Sequence, residues 1–370
     1  MPREPDPPTV LVTGAGGFLG GRIVEMLSLT RAATVRAGVH RWSGAGVARL
    51  ARLPAEIALC DVMDAGQVHR ALDGVSIVIH SVLGDRSANV EGTRTLLAAA
   101  ADHAVRRIVH ISTAEVYGKA RGEVDETHPL RYTGWDYADS KIDAEKLCWR
   151  ACEQGAPVTV LRPSIVYGPF SQSWIVRLSQ CLGDGQWGAF DRYGDGWCNL
   201  IYVDDLVSAI WLAARDDRAT GEAFNVNGPE IITWNDYFRR LNSALDLPEL
   251  RTIGPAQSWI KATAVEAARV LLVFAKDHTA PATKRRLIGG ARKTAVGHLV
   301  DQARRSIKMA PLRRDLLHLY NRRAIYVAAK LHDRLGFAPQ TGIDAGLATS
   351  VQWLRLHFSL DGSHPEGPSE

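Results

Sequence analysis

The segment Val10-Leu-Val-Thr-Gly-Ala-Gly-Gly-Phe-Leu-Gly20 decides the fold, because an apolar strand runs through a glycine-rich turn into a helix. The glycines Gly14, Gly17 and Gly20 follow a GxxGxxG spacing, one residue longer at the first gap than GxGxxG. Gly14 allows a tight turn, Gly17 lets a phosphate approach the backbone, and Gly20 lets strand and helix pack closely. The amino end of the helix is therefore a candidate site for the pyrophosphate of a dinucleotide. A plain strand-to-helix connection is the alternative.

Strands and helices alternate through the first half of the chain. Apolar strands are predicted at 9–12, 34–40, 57–60, 75–80, 107–112 and 158–162, and helices at 18–29, 89–101 and 135–153. This alternation predicts an α/β fold, a Rossmann-like doubly wound parallel sheet covered on both faces, with ligands at the carboxyl ends of the strands.

The remaining sequence predicts a smaller, mainly helical C-terminal substrate lobe. The expected domains are a flexible tail at 1–8, an NAD(P)-binding Rossmann domain at 9–169 to which 200–228 returns, a substrate-binding lobe at 170–199 and 229–358, and a flexible tail at 359–370. Residues 171–199 are rich in Gly, Trp and polar side chains, which favours a mobile substrate loop.

Composition limits the class of protein. The chain of 370 residues is 46% hydrophobic and 23% charged, as in ordinary globular proteins. None of the five cysteines forms a CxxC pair, so core thiols, no metal site and a reducing cytoplasm are expected. No apolar run reaches the ~18 residues of a membrane span, and the first eight residues lack the apolar core of a signal peptide.

The segment Tyr137-Ala-Asp-Ser-Lys141 carries the chemistry. Tyr and Lys at i and i+4 share one helix face, where an ammonium can lower the pKa of a phenol. Such a phenol can exchange a proton with an alcohol. A hydroxyl from Ser112 or Thr113, at the end of the fifth strand, can bond the same substrate oxygen. Beside a dinucleotide, this set can move hydride to or from a carbinol carbon.

Two strand ends concern the cofactor. Asp61-Val62 follows the third strand, where the carboxylate can accept the adenine amino group or simply cap the next helix. His40-Arg41 ends the second strand, where NAD-specific proteins usually carry an acid for the ribose hydroxyls. A cation here favours the 2′-phosphate of NADP over NAD, although an exposed arginine at a strand end is the alternative.

These positions together resemble the extended short-chain dehydrogenase/reductase family, also called the NAD-dependent epimerase/dehydratase family. The resemblance spans about residues 9–230 and includes, besides the segments above, 80–82, 89–93, 112–118, 161–169 and 202–205. It implies that Tyr137 is the general acid/base, that Lys141 holds the nicotinamide ribose and lowers the tyrosine's pKa, and that Thr113 orients the substrate oxygen. It also implies a cofactor lining of Phe18, Leu19, Asp61, Val62, Ser81, Val82, Leu83 and the backbone near Ser164.

Two departures from the family narrow the chemistry. Sugar-nucleotide 4,6-dehydratases carry Asp-Glu directly after the Thr, whereas this chain has Ala114 and Glu115. A methyl group cannot protonate a leaving hydroxide, so dehydration is disfavoured. Many sugar-nucleotide epimerases have Asn where this chain has Ile165, which weakens a nucleotide-sugar substrate.

The leading hypothesis is an NAD(P)-dependent oxidoreductase or epimerase acting on a secondary alcohol or ketone. Its small-molecule pocket is expected beside Thr113, Ile165 and Trp174. The rivals are a sugar-nucleotide epimerase with tightly bound NAD and a non-catalytic cofactor-binding sensor or scaffold. A homodimer is compatible with the sequence.

Residues 254–335 are strongly basic, with about 17 Lys or Arg against about 5 Asp or Glu. One interpretation is a helical lobe with a solvated basic face. The other is a peripheral contact with anionic lipid at the inner membrane face. Nucleic-acid binding is not expected, because the charge excess is its only sign.

Overall fold

The computed structural model describes residues 7–185, 187–191, 193–254, 316 and 319–357. The chain forms two compact units. The first is Met1–Ser171, Asn199–Ile231 and Arg323–Thr349, and the second is Gln172–Cys198, Ile232–Arg322 and Ser350–Glu370. Most of the basic region 254–335, with its predicted lipid contact, lies outside the described residues, as do residues 1–6 and 359–370 of the predicted tails.

The strands and helices are as follows. The strands are β1 Thr9–Thr13, β2 Thr34–Val39, β3 Glu56–Leu59, β4 Ile77–His80, β5 Arg107–Ile111, β6 Gly122–Val124, β7 Val158–Pro163, β8 Ile165–Tyr167, β9 Ala189–Phe190, β10 Trp197–Cys198, β11 Leu200–Tyr202, β12 Ala223–Val226, β13 Ile232–Thr233, β14 Thr252–Ile253 and β15 Ala324–Tyr326. The helices are α1 Phe18–Leu29, α2 Ala45–Leu50, α3 Ala65–Leu72, α4 Arg86–Ala101, α5 Asp136–Glu153, α6 Arg177–Gly183, α7 Val203–Arg215, α8 Trp234–Ala244, α9 Ala329–Leu335 and α10 Ile343–His357.

The first unit is built on a seven-stranded sheet in the order β12-β7-β5-β4-β1-β2-β3. Every pair in it is parallel. The chain moves outward from β1 in both directions, so the carboxyl ends of β1 and β4 border the crevice where ligands bind in such sheets. The predicted α/β fold with a parallel Rossmann-like sheet is confirmed.

Successive apolar side chains of the central strand β1 point to opposite faces of the sheet, so both faces need a cover of helices. Val10 and Val12 of β1 belong to one apolar cluster with residues of α1 and α7. Leu11 belongs to another, with residues of α3, α4 and α5. Asp85 caps α4, since its carboxylate accepts from the Ala88 N–H at 2.9 Å. The helix that carries Tyr137, α5, packs against α4 and β7.

The second unit has an aromatic core. Its rings include Trp187, Phe190, Trp234, Phe238 and Tyr320, packed at centroid distances from 4.9 to 6.1 Å. The Asn235 side-chain amide makes two hydrogen bonds to the backbone of Phe190. It accepts from the Phe190 N–H at 2.8 Å and donates to the Phe190 carbonyl at 3.0 Å.

The expectation of a loop over 171–199 is wrong in part. The structure has a π-helical turn at Gln172–Val176 followed by α6. Leu178, Cys181 and Leu182 recur at helical spacing and are buried, but surrounding Gly, Trp and polar residues obscure that period. No helix among the described residues is long and apolar enough to cross a membrane.

Candidate active site

In the glycine turn between β1 and α1, the positions of Gly14 and Gly20 leave no room for a side chain. Gly14 has φ 71°, and a Cβ on it would lie 2.8 Å from the Ser81 carbonyl oxygen. A Cβ on Gly20 would lie 2.3 Å from the Gly14 carbonyl oxygen. Gly17 caps α1 without any side-chain hydrogen bond, and the first turn carries no acid. The amino end of α1 is thus a candidate site for the predicted pyrophosphate.

Substitution of Gly20 by Ala is expected to weaken dinucleotide binding at least tenfold, because the new methyl displaces the Gly14 carbonyl and opens the turn. Isothermal titration with NAD and NADP measures this loss. Gly16→Ala in the same turn is the matched control, since a Cβ there meets no protein atom within 4 Å. Equal losses for the two variants would contradict this account of the turn.

The predicted cofactor residues Ser81, Asp61 and Val62 follow the carboxyl ends of β4 and β3. The Ser81 hydroxyl donates to the Thr13 carbonyl at 2.7 Å, which fixes the end of β4 beside β1. Asp61 accepts from the Met63 N–H at 3.0 Å, and Val62 is buried. Asp61 is thus a local turn former as well as a candidate adenine ligand.

The remaining predicted cofactor residues differ in exposure. His40 and Arg41 are exposed after β2, and Leu83 is exposed after β4. Phe18 and Leu19 are half-buried at the start of α1. The Ser164 hydroxyl is buried with no hydrogen-bond partner among the described residues.

One face of α5 carries the predicted catalytic pair. Tyr137, Lys141 and Glu145 follow one another at intervals of four residues, so they lie along one stripe of the helix. Tyr137 is half-buried, and Lys141 and Glu145 are buried. The stripe begins near Thr113, whose side chain lies close enough to that of Tyr137 to lower its pKa.

Thr113 is oriented by the turn that follows it. It is the N-cap of a 3₁₀ turn, Ala114–Tyr117, and its oxygen accepts from the Glu115 N–H at 3.2 Å. The Thr113 hydroxyl accepts in this bond and therefore keeps its own proton to donate. The structure thus brings Thr113 and Tyr137 together.

The pKa of Tyr137 differs from the expectation. Burial raises it to about 12, the hydrogen bond with Thr113 lowers it, and the charge of Glu115 raises it. The lowered pKa predicted from the Tyr-Lys spacing is not what this structure gives, because burial outweighs the stabilisation of the phenolate. At neutral pH the phenol therefore carries its proton.

Lys141 is held by backbone carbonyls. Its Nζ donates to the Val82 oxygen at 3.1 Å and to the Ile111 oxygen at 3.0 Å, so it ties α5 to the ends of β4 and β5. Burial lowers the pKa of Lys141 to about 8, while the charges of Cys148 and Glu145 oppose that shift. The ammonium is a donor fixed in position at the crevice.

A lowered lysine pKa has a consequence for stability. Between about pH 8 and the ordinary value of 10.5, the unfolded chain binds more protons at Lys141 than the folded one. The free energy of unfolding therefore rises with pH through this window. Relative to Lys141→Met, the wild type is expected to gain about 2 kcal/mol from about pH 7.5 to about pH 10. Urea unfolding of both proteins measures this, and a difference that stays constant with pH would contradict it.

A buried polar network that the sequence analysis does not predict lies beneath this stripe. Glu145 binds Arg162 of β7 through both carboxylate oxygens, the shortest contact being 2.6 Å from Nη2 to Oε2. Glu145 also accepts from the hydroxyl of Ser112. Arg162 donates to the Tyr117 hydroxyl at 2.9 Å, which donates to Asn225 Oδ1 at 2.7 Å. The network fixes Ser112, the neighbour of Thr113.

The signal for this network was present in the helical spacing. Glu145 lies four residues beyond Lys141, on the same face, and a buried carboxylate requires a cation such as Arg162 on a facing strand. Burial lowers and Glu145 raises the pKa of Arg162, and the net result is a raised pKa. Ser112 therefore has a structural partner, in addition to its predicted place near the cofactor.

The predicted substrate residues fall in different units. Ile165 is half-buried in β8 of the first unit, and Ala114 is buried in the 3₁₀ turn after Thr113. Trp174 belongs to the second unit, where its ring packs on Trp234 at 5.4 Å and its carbonyl accepts from the Tyr237 hydroxyl at 2.8 Å.

A family model and curated relatives match this chain. Residues 10–227 match the model of the NAD dependent epimerase/dehydratase family. Sterol demethylase protein B of Methylococcus capsulatus is 33% identical over 247 residues, 61% of this chain and 73% of that protein. A 3 beta-hydroxysteroid dehydrogenase/Delta 5→4-isomerase of Mycobacterium tuberculosis is 28% identical over 277 residues, 68% of this chain and 74% of that protein.

Solved structures share the fold. The UDP-glucuronic acid 4-epimerase of Bacillus cereus in complex with NAD superposes with a TM-score of 0.69 at 18% identity, covering 96% of this chain and 99% of that one. At that identity the likeness concerns the fold alone.

Proposed function

The chain belongs to the NAD-dependent epimerase/dehydratase family, and from this premise we propose that it is an NAD(P)-dependent oxidoreductase acting on a secondary alcohol or ketone. The observation that carries the proposal is that Thr113 and Tyr137 lie side by side near Lys141, whose ammonium is fixed by the backbone carbonyls of Val82 and Ile111. A non-catalytic sensor would not need this proton-transfer pair.

The chain's own groups account for the proton chemistry. When bound, the nicotinamide supplies or accepts the hydride at the carbinol carbon. Tyr137 transfers the proton at the substrate oxygen, and Thr113 donates a hydrogen bond to the same oxygen. Lys141 holds positive charge at the crevice, which stabilises a developing alkoxide or phenolate. Gly14, Gly17 and the amino end of α1 would hold the pyrophosphate.

The protonated phenol favours the reductive direction. Because burial raises the pKa of Tyr137 to about 12, the side chain at neutral pH is an acid that can protonate the alkoxide formed when hydride reaches a ketone. The oxidative direction requires the phenolate, so oxidation should accelerate as the pH increases.

Ala114 and Ile165 support simple redox chemistry over the sugar-nucleotide alternatives. The buried Ala114 methyl offers no acid for elimination, and Ile165 offers no amide to a diphosphate. The two sterol- and steroid-named relatives support an apolar secondary alcohol or ketone as the substrate class. We propose a bulky apolar ketone rather than a nucleotide sugar.

A direct test is oxidation of NADH or NADPH with a panel of steroid, alkyl and aryl ketones and of nucleotide sugars. Turnover on an apolar ketone supports the proposal. Sugar epimerisation with NAD retained on the protein and no net NADH release would replace it by the epimerase alternative. Cofactor binding without turnover across the whole panel would favour the sensor alternative.

We also propose NADP as the preferred cofactor. Arg41 is exposed after β2, where an acid for the ribose hydroxyls would stand in an NAD-specific protein. Arg41→Ala is expected to weaken NADPH binding about tenfold, the effect of one charge-assisted hydrogen bond, and to leave NADH binding unchanged. Fluorescence titration with both cofactors measures this, with Arg106→Ala, an exposed arginine before β5, as control. Equal effects on the two cofactors would contradict the assignment.

We also propose a cytoplasmic location and a homodimer. Free thiols such as Cys60 and Cys198 are buried, as suits a reducing cytoplasm. Sedimentation equilibrium would test the expected homodimer.

A further inference from the structure

A basic cavity lies in the chain that joins Thr113 to Tyr137. Its volume is about 360 Å³. It is lined by Lys119, Ala120, Arg121, His128, Pro129 and Arg131. Four of these six side chains can carry positive charge and none is acidic. The volume lies within the range of small-molecule sites, so the cavity can admit a ligand.

Three of the four cationic side chains of this cavity have no acidic partner among the described residues. Within the described part of the chain, the side chains of Lys119, Arg121 and Arg131 take part in no ion pair or hydrogen bond. Asp125, in the same loop, does not line the cavity and is engaged by the Thr127 N–H and hydroxyl at 2.9 and 2.6 Å. Its remaining contact is His128, at 3.2 Å.

Two segments, 119–121 and 128–131, form the walls of the cavity, and an apolar side chain anchors each of them. Ala120 and Leu130 pack against the small core formed around Val116 and Tyr117, so their charged neighbours in sequence are directed away from that core. The wall at 119–121 is further held through β6, which pairs with β15. The cations are therefore presented by an ordered backbone, which reduces the entropy lost when an anion binds.

Gly118 lets the two walls approach each other. It has φ 63°, and a Cβ on it would lie 2.9 Å from Thr133 Cγ2 and 3.2 Å from the Arg131 carbonyl oxygen. The Arg131 N–H donates to the Val116 oxygen at 2.9 Å and closes the same junction. Positive charges held together in this way repel one another, and a bound anion relieves that repulsion.

We propose that this basic cavity binds a small polyanion bearing phosphate or pyrophosphate groups. Arg121 and Arg131 donate paired N–H bonds to phosphate oxygens, and Lys119 adds charge. The site is separate from the glycine turn, because that turn follows β1 whereas the cavity follows β5, and β4 lies between these strands. The ligand is therefore additional to the dinucleotide.

The test is isothermal titration of the full chain with inorganic pyrophosphate, in the presence of saturating NADP so that the glycine turn is already filled. The cavity variant is Arg121→Ala/Arg131→Ala. The control is Arg106→Ala/Arg150→Ala, which removes two exposed arginines elsewhere in the first unit. Wild type and control are expected to bind, and the cavity variant to bind at least tenfold more weakly. Lys119→Gln/Arg121→Gln provides a second variant if the first does not fold.

A lipid headgroup presents the same phosphate chemistry, so flotation with phosphatidylglycerol vesicles, and with phosphatidylcholine vesicles as control, forms a second arm. Binding to the anionic vesicles that is lost in the cavity variant supports the site with lipid as the source. Absence of binding in both arms, or equal binding by wild type and cavity variant, overturns the proposal.

Discussion

Replacing Tyr137 by Phe is expected to lower kcat by about 10²- to 10⁴-fold, the usual contribution of a positioned general acid. The phenyl ring fills the same space, while the proton donor and its hydrogen bond with Thr113 are removed. Cofactor affinity should change little, because the pyrophosphate and adenine residues are untouched. Steady-state kinetics with NADPH and the ketone found in the panel, together with cofactor titration, measures both quantities.

Tyr132→Phe is the matched control for that loss. Tyr132 is an exposed tyrosine of the preceding loop, and its hydroxyl contacts Asp143 and accepts from Lys146 at 2.7 Å. Its loss should leave kcat within about twofold, since it lies on the solvent side of α5 and makes no contact with the catalytic pair. Full turnover in Tyr137→Phe would refute the assignment of the general acid.

Replacing Arg162 by Met is expected to destabilise the protein by about 3–5 kcal/mol, because it leaves the Glu145 carboxylate buried without its cation. Glu145 is fully buried and the Arg162 side chain is 5% exposed, so water cannot replace the lost bonds. Activity should fall as well, because Ser112 loses the fixed carboxylate that orients it. Guanidinium unfolding measures the stability, and kinetics below the unfolding transition measures the activity.

Two further variants isolate the charge effect in that prediction. Glu145→Met/Arg162→Met removes both charges and should recover a large part of the lost stability. Arg94→Met breaks the exposed pair with Glu91 and should cost less than about 1 kcal/mol. If Arg162→Met and Arg94→Met were equally mild, the buried pair would not be the structural anchor described above.

The strand-helix alternation was sufficient to predict the sheet, because each buried parallel strand is a short apolar run. The ends of β1, β5 and β7 agree with the prediction to within one residue. The 3₁₀ turn at Ala114–Tyr117 and the helix α6 could not be predicted in the same way. The turn is one short segment set by the Thr113 cap, and the apolar period of α6 covers only seven residues.

The positions of the proposed catalytic residues were predictable for a similar reason. Thr113 ends a strand and Tyr137 and Lys141 share one helix face, so local spacing places them at the same edge of the sheet. The pKa of Tyr137 was not predictable, because it depends on burial and on the nearby Glu115, which only the folded chain brings together. Helical spacing marks the Glu145 end of the buried network, but its Tyr117–Asn225 bond joins residues 108 positions apart in sequence, which no local pattern reveals.

The most direct measurement of the central claim is deuterium transfer from nicotinamide-deuterated NADPH to the apolar ketone that turns over. Mass spectrometry of the product alcohol follows one deuterium per turnover. The account predicts that wild type places deuterium on the carbinol carbon and that Tyr137→Phe slows this transfer by at least a hundredfold. Product formed without deuterium, or at an unchanged rate in Tyr137→Phe, would contradict it.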